Sequence, residues 1–149
     1  MKAIKLISWF LGIAMFMFGI LKVVIPTING WYSVQMTNSG LGKYIPMWIG
    51  ITGEIVVGLA FITSLAIDKN LTNKIVRIII QLASATIIPM MATAIYVHLQ
   101  PNVPAEVLPL KIKPPFIPVF FMLLALANIY LIQRQIKKTR LMTRQKKYR

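Results

Sequence analysis

Residues 45–67 read IPMWIGITGEIVVGLAFITSLAI, a run of 23 residues whose only charge is Glu54. A hydrocarbon core of about 30 Å is crossed by roughly 20 helical residues, so this run is long enough to span a bilayer. A carboxylate within such a span costs several kcal/mol unless it is paired, protonated or turned to a polar interior. The stretch therefore sets both the fold class and the first residue to explain.

Three further runs carry no charge at all: Leu6 to Leu21, Ile78 to Val97 and Pro114 to Gln133. Only 13% of the 149 residues are charged and 57% are hydrophobic, against roughly 25% charged in soluble domains. Lipid accepts only internally bonded backbone. The sequence thus predicts an all-α, four-transmembrane-helix bundle with spans near Ile4–Pro26, Pro46–Ile67, Lys74–His98 and Pro115–Arg134. One membrane domain, residues 1–134, is expected, followed by a basic tail at residues 135–149. The first run follows Lys2 and Lys5 like a signal peptide. It is too long and too aromatic for one, with no A-x-A-like site after it, so it reads as a retained helix.

The 17 basic residues are unevenly placed. Lys2, Lys5, Lys69, Lys74, Arg77 and the eight cations between Arg134 and Arg149 fall on one side, against Lys22, Lys43, Lys111 and Lys113 on the other. The positive-inside rule then puts both termini in the cytoplasm. Asn70-Leu71-Thr72 has the form of a glycosylation site but falls in a cytoplasmic loop. The net charge of +14 is accounted for by topology and by anionic lipid headgroups at the C-terminal tail, each basic residue near the surface contributing about 1 kcal/mol. No nucleic-acid partner is expected. Without cysteine, disulfide and thiol chemistry are excluded.

Within the second span, Gly50, Gly53, Glu54, Val57 and Gly58 form one stripe, the small-residue pattern on which membrane helices pack. Gly12 and Gly19 offer a matching surface on the first span. These five glycines are the expected packing positions. Glu54 then faces protein, and the Lys22 stem is long enough to reach it; the alternatives are a snorkelling Lys22 and a protonated Glu54. His98, at the end of the third span, reads as an interfacial cap or as a polar group at the mouth of a pocket floored by Lys22 and Glu54. One histidine without a second ligand makes a poor metal site, and none is expected. Gln81, Ser84 and Asn128 read as hydrogen-bonding glue between helices, and Pro89 as a bend. Trp31, Tyr32 and Tyr44, in the segment between the first two spans, suit a headgroup layer. The proline-rich segment before the fourth span is too interrupted for a helix.

Phe18-Gly19-Ile20-Leu21-Lys22 resembles the F-G-x-x-K signature of the DoxX-like family. The segment from Gln35 to Ile62 resembles its pattern of an amphipathic stretch, a Gly-Leu turn (Gly40-Leu41), a proline (Pro46) and a helix carrying G-x-x-E-x-x-x-G-L, here Gly50 or Gly53, Glu54 and Gly58-Leu59. The likeness covers the first half of the chain and is loose beyond it. It implies a four-helix membrane protein, in a family whose members include subunits of quinone-linked sulfur oxidation, associates of membrane redox systems, and helpers in folding or export; composition favours a bacterial inner membrane. Two functions are carried forward. The first is an accessory subunit of a membrane redox complex, with a quinone-sized pocket near the outer leaflet contacted by Lys22, Glu54 and His98, not catalytic on its own. The second is a non-enzymatic assembly factor for other membrane proteins. Both imply a membrane-protein partner.

Overall fold

The computed structural model describes residues 2–68 and 70–147, with side chains as far as Lys137. Its helices are α1 (Lys2–Val24), α2 (Pro26–Asn38), α3 (Met47–Ile67), α4 (Lys74–Leu99) and α5 (Phe116–Lys147), with short 3-10 turns at Leu41–Lys43, Ala105–Val107 and Pro109–Lys111. Four of these helices are long and apolar enough to cross a membrane: α1, α3, α4 and the Phe116–Lys137 part of α5. The fold is an all-helical membrane bundle. The segment after α1 is itself helical, because Pro26 opens it with its backbone already set for a first turn. The helix of α5 runs on through residues 135–147 without a break at the expected tail boundary. Lys69, Arg149 and the tail side chains beyond Lys137 that are expected to meet anionic headgroups lie outside the described residues.

The pair α1 and α3 is packed most extensively, and glycine is the reason. A Cβ on Gly58 would lie 2.5 Å from the Phe16 nitrogen and 2.7 Å from its Cα; one on Gly19 would lie 2.6 Å from Ile55 Cγ1 and 3.0 Å from the Ile55 nitrogen. Two antiparallel backbones approach to a distance that only hydrogen at these positions permits. Gly12 meets Phe61 in the same way, 2.7 Å from its Cβ. Around this seam Leu11, Met15, Phe61, Ile80, Ile87 and Ala125 are fully buried.

One polar layer crosses the core. Asn128 Nδ2 donates to Ser8 Oγ at 3.0 Å and to Ser84 Oγ at 3.1 Å, tying α5 to α1 and α4. Ser84 Oγ donates in turn to the Ile80 carbonyl at 2.8 Å. Gln81 is half-buried and is not a member of this triad. Ser8 is, although the sequence had offered only Gln81 and Ser84 as partners for Asn128.

The triad gives the helices a common register. At about 1.5 Å per residue, Lys22 and His98 both lie about 21 Å from it toward one end, while Arg77 and Arg134 lie about 10 Å from it toward the other. The interval of about 30 Å matches a hydrocarbon core. The second, basic end carries the start of α1 beside the α3–α4 connection, where Lys5 Nζ donates to Asn70 Oδ1 at 3.4 Å. That connection is held by the Asp68 carboxylate, which accepts from the Asn73 nitrogen (2.5 Å), the Asn70 nitrogen (3.0 Å) and Thr72 Oγ1 (3.1 Å). These bonds, that from Asn73 foremost, hold Asp68 below the usual carboxylate range. They also keep Leu71 at φ 55°, a left-handed backbone, with its side chain buried in the core.

The opposite end is capped. Gln35 Nε2 donates to the Val107 carbonyl, Asn38 Nδ2 to the Asn102 carbonyl at 2.9 Å, and Tyr96 Oη to the Ser39 carbonyl at 3.4 Å. Val97, Val103 and Leu108 form a second small core beneath these bonds. Helix α2 and the proline-rich connection thus close over the bundle as one unit.

Candidate functional site

Beneath the cap, Lys22 Nζ donates to Glu54 Oε1 at 2.5 Å, the one salt bridge among the described residues. Glu54 is 9% exposed and faces α1, as its place on the glycine stripe dictates. Lys22, in the last turn of α1, folds back along its own helix to reach it. The Asn29 amide donates to the Lys22 carbonyl at 2.8 Å, satisfying one of the acceptors a helix end leaves open and fixing the turn from α1 into α2.

That turn brings Tyr32 over the pair. Lys22 Nζ lies 4.3 Å from the centroid of the Tyr32 ring, within the range of a cation–π contact. The Tyr32 hydroxyl occupies the place a Cβ on Gly50 would take. Gly50 therefore makes room for a tyrosine of α2, whereas Gly53 has only ordinary contact with the end of Met90, 3.5 Å away. The expected five-glycine packing surface divides accordingly: Gly12, Gly19 and Gly58 join α1 to α3, and Gly50 and Gly53 meet side chains. Tyr32, expected among headgroups, faces inward instead. Burial, and secondarily the negative charge of Glu54, push its hydroxyl up to about 12.

This shift has a measurable consequence. The unfolded chain releases a phenolic proton near pH 10 and the folded chain only near pH 12. The contribution of Tyr32 to stability is complete below pH 10 and is lost as pH rises toward 12. Tyr32 is expected to give a late component in an alkaline titration followed by tyrosinate absorbance, and Tyr32→Phe to remove it. A titration without a late component would contradict the enclosed position.

His98 belongs to a different constellation. It is buried, and its Nδ1 lies 3.2 Å from the Lys113 carbonyl. Lys113 Nζ donates to the Gln100 carbonyl at 2.5 Å and to that of Val103. The ammonium so satisfies the carbonyl of the residue that caps α4 and one in the connection beyond it, and its positive charge complements the helix dipole. Of the three residues expected at one pocket, two are in contact with each other. Lys22 and Glu54 meet, while His98 at the same level bonds to the wall of the cap.

One concavity at the capped end is apolar. A groove of about 520 Å³, within the size range of small-molecule sites, is lined by Phe18 of α1, Pro109 and Leu110 of the connection, and Phe116, Ile117, Phe120 and Phe121 of α5. Its floor is an aromatic cluster in which Phe121 lies 5.4 Å from Phe18 and 5.6 Å from Phe10, ring centroid to centroid. Phe18 is one helical turn from Lys22, so the groove and the ion pair occupy adjoining levels of α1.

Chemically, the arrangement offers one acceptor in search of a donor. Glu54 Oε2 is buried and has no hydrogen-bond partner among the described residues; a buried acceptor left open costs about 1–3 kcal/mol or more. No group of three metal-ligating side chains occurs among the described residues. Two of the missed features had signals in the sequence. Ser8 shares the face of Gly12 and Gly19, and Gly50 one turn before Glu54 marked a place where something bulky approaches. The groove had none, since its lining residues read as ordinary lipid-facing side chains.

No known family profile, no curated protein and no solved structure matches the chain.

Proposed function

We propose that this chain is a DoxX-like accessory subunit of a membrane redox complex, holding a quinone-sized molecule at its capped end. The observation that carries the reading is the open acceptor Glu54 Oε2, beside a lysine and one turn from an aromatic groove of about 520 Å³. The groove suits a hydrocarbon tail, and the pair suits a polar head. Charged groups within a membrane commonly mark such sites. The subunit binds and positions; electron transfer belongs to its partner in the complex. Charge placement supports orientation with the basic end in the cytoplasm of a bacterial inner membrane, the tail drawn to anionic headgroups and the groove in the outer leaflet.

Binding of a short-tailed quinone to the purified protein, read by quenching of tryptophan fluorescence, tests this. Wild type is expected to bind. Glu54→Gln is expected to weaken binding about tenfold, and Leu110→Glu, which places a charge in the groove at a residue 80% exposed, to abolish it. Absence of binding by wild type would discard the reading. A second function, that of an assembly helper, draws on the closure of Tyr32 over the Lys22–Glu54 pair. It predicts loss of stability in Glu54→Gln with no quinone affinity in any variant.

A further inference from the structure

At the end opposite the cap, Lys2, Lys5, Lys74, Arg77, Arg134 and Lys137 lie at levels about 5–15 Å beyond the polar triad by helical rise. None of them has an acidic partner among the described residues. Asp68, the one described acid at this end, spends its carboxylate on Asn70, Thr72 and Asn73. Arg77 stands out within the cluster. It is half-buried, its Nη1 donates only to the Leu71 carbonyl at a long 3.4 Å, and its Nε is enclosed without an acceptor. A guanidinium carries five donors in a planar fork suited to phosphate oxygens, and the described residues supply it with one weak acceptor.

Two further facts identify what completes it. Arg77 and Arg134 lie about 30 Å from the level of Lys22 and His98, which places them where lipid phosphates meet the hydrocarbon. On a face of α4 turned away from Arg77 but bordered by Lys74, Ile75, Ile78, Ile79 and Leu82 form an exposed apolar stripe, with Ile75 65% and Leu82 64% exposed. Acyl chains can lie along that stripe below Lys74, while the headgroup reaches round to the other cations.

We infer that the basic end holds an anionic phospholipid at a defined site, its phosphate on the outward Nη edge of Arg77 with Lys74 and Arg134 alongside. The inference rests on the reading that this end faces anionic lipid, and it sharpens a diffuse attraction of the tail into a site on the bundle. It does not depend on the ligand at the capped end.

Native mass spectrometry of full-length protein, extracted from bilayers containing equal phosphatidylglycerol and phosphatidylcholine, reads it directly. Wild type is expected to retain phosphatidylglycerol over phosphatidylcholine about tenfold. Arg77→Gln is expected to lose that preference, Arg77→Lys to keep only part of it, and Lys146→Gln/Lys147→Gln in the tail to leave it intact. Should Arg77→Gln not fold, Arg134→Gln/Lys137→Gln reads the same site and is expected to reduce the preference severalfold. Preference intact in Arg77→Gln but lost in the tail variant would overturn the site and leave the tail attraction standing. Equal retention of both lipids by wild type would overturn both. Displacement of the bound lipid by millimolar inorganic phosphate would assign the site to a free anion and end the lipid proposal.

Discussion

Replacing Lys22 by Met is expected to destabilise the bundle by about 3–5 kcal/mol, the usual consequence of leaving one member of a buried ion pair behind. The carboxylate that remains is 9% exposed and loses the 2.5 Å bond that is its recorded partner. Glu54→Gln removes the opposite charge and leaves the ammonium held by the Tyr32 ring, which lies 4.3 Å away and contributes about 1–2 kcal/mol in a desolvated setting. It should therefore cost less than Lys22→Met. The double variant Lys22→Met/Glu54→Gln removes both charges. It should recover much of the loss, because replacing a whole buried pair is commonly near neutral. Unfolding of the four proteins in one detergent closes the cycle. Raised salt should change the coupling little, since a pair beneath the cap is poorly screened. A double variant no more stable than Lys22→Met would show that the two residues act separately.

The second large effect lies in the α1–α3 seam. Gly58→Ala places a Cβ 2.5 Å from a backbone nitrogen and 2.7 Å from a Cα of Phe16, atoms that move only if the helix moves. Overpacking of this kind costs about 1–3 kcal/mol, and Gly58→Leu should exceed that range and separate the helices. Gly53→Ala is the internal control. Its new Cβ meets the flexible end of Met90 at 3.5 Å, while alanine gains about 1 kcal/mol of helix propensity over glycine, so it should be neutral or stabilising. Gly50→Ala falls between them, because Tyr32 must leave its place over Lys22 to make room. That variant should also abolish the late component of the tyrosine titration. Equal stability of Gly58→Ala and Gly53→Ala would remove the close-approach account of the seam.

Together the two experiments separate the roles of one stripe. The glycines at 12, 19 and 58 set how near the helices come, and that nearness brings Glu54 within reach of a lysine one turn beyond Gly19. Gly50 instead sets whether Tyr32 can close over the pair. A change at Gly58 should reduce stability whether or not a ligand is present. Leu110→Glu should alter ligand binding and leave unfolding almost unchanged, because that side chain is 80% exposed.

The spans were legible because a bilayer imposes length and apolarity on each crossing helix one at a time, and local composition records both. The inward turn of Glu54 was legible for a related reason: a charge beside glycines has one favourable direction when every other direction is lipid. The rest depended on how helices rotate against partners far along the chain. Ser8 meets Asn128 across 120 positions, and His98 meets Lys113 through a connection with no regular pattern. In each span only 28% of the apolar window is buried in the bundle. The remainder is equally apolar because it faces lipid, so hydrophobicity does not separate inner from outer faces as it does in water. Tyr32 shows the limit most clearly. Its sequence context fits a headgroup layer, and only the turn from α1 into α2, with the space left by Gly50, directs its ring onto Lys22.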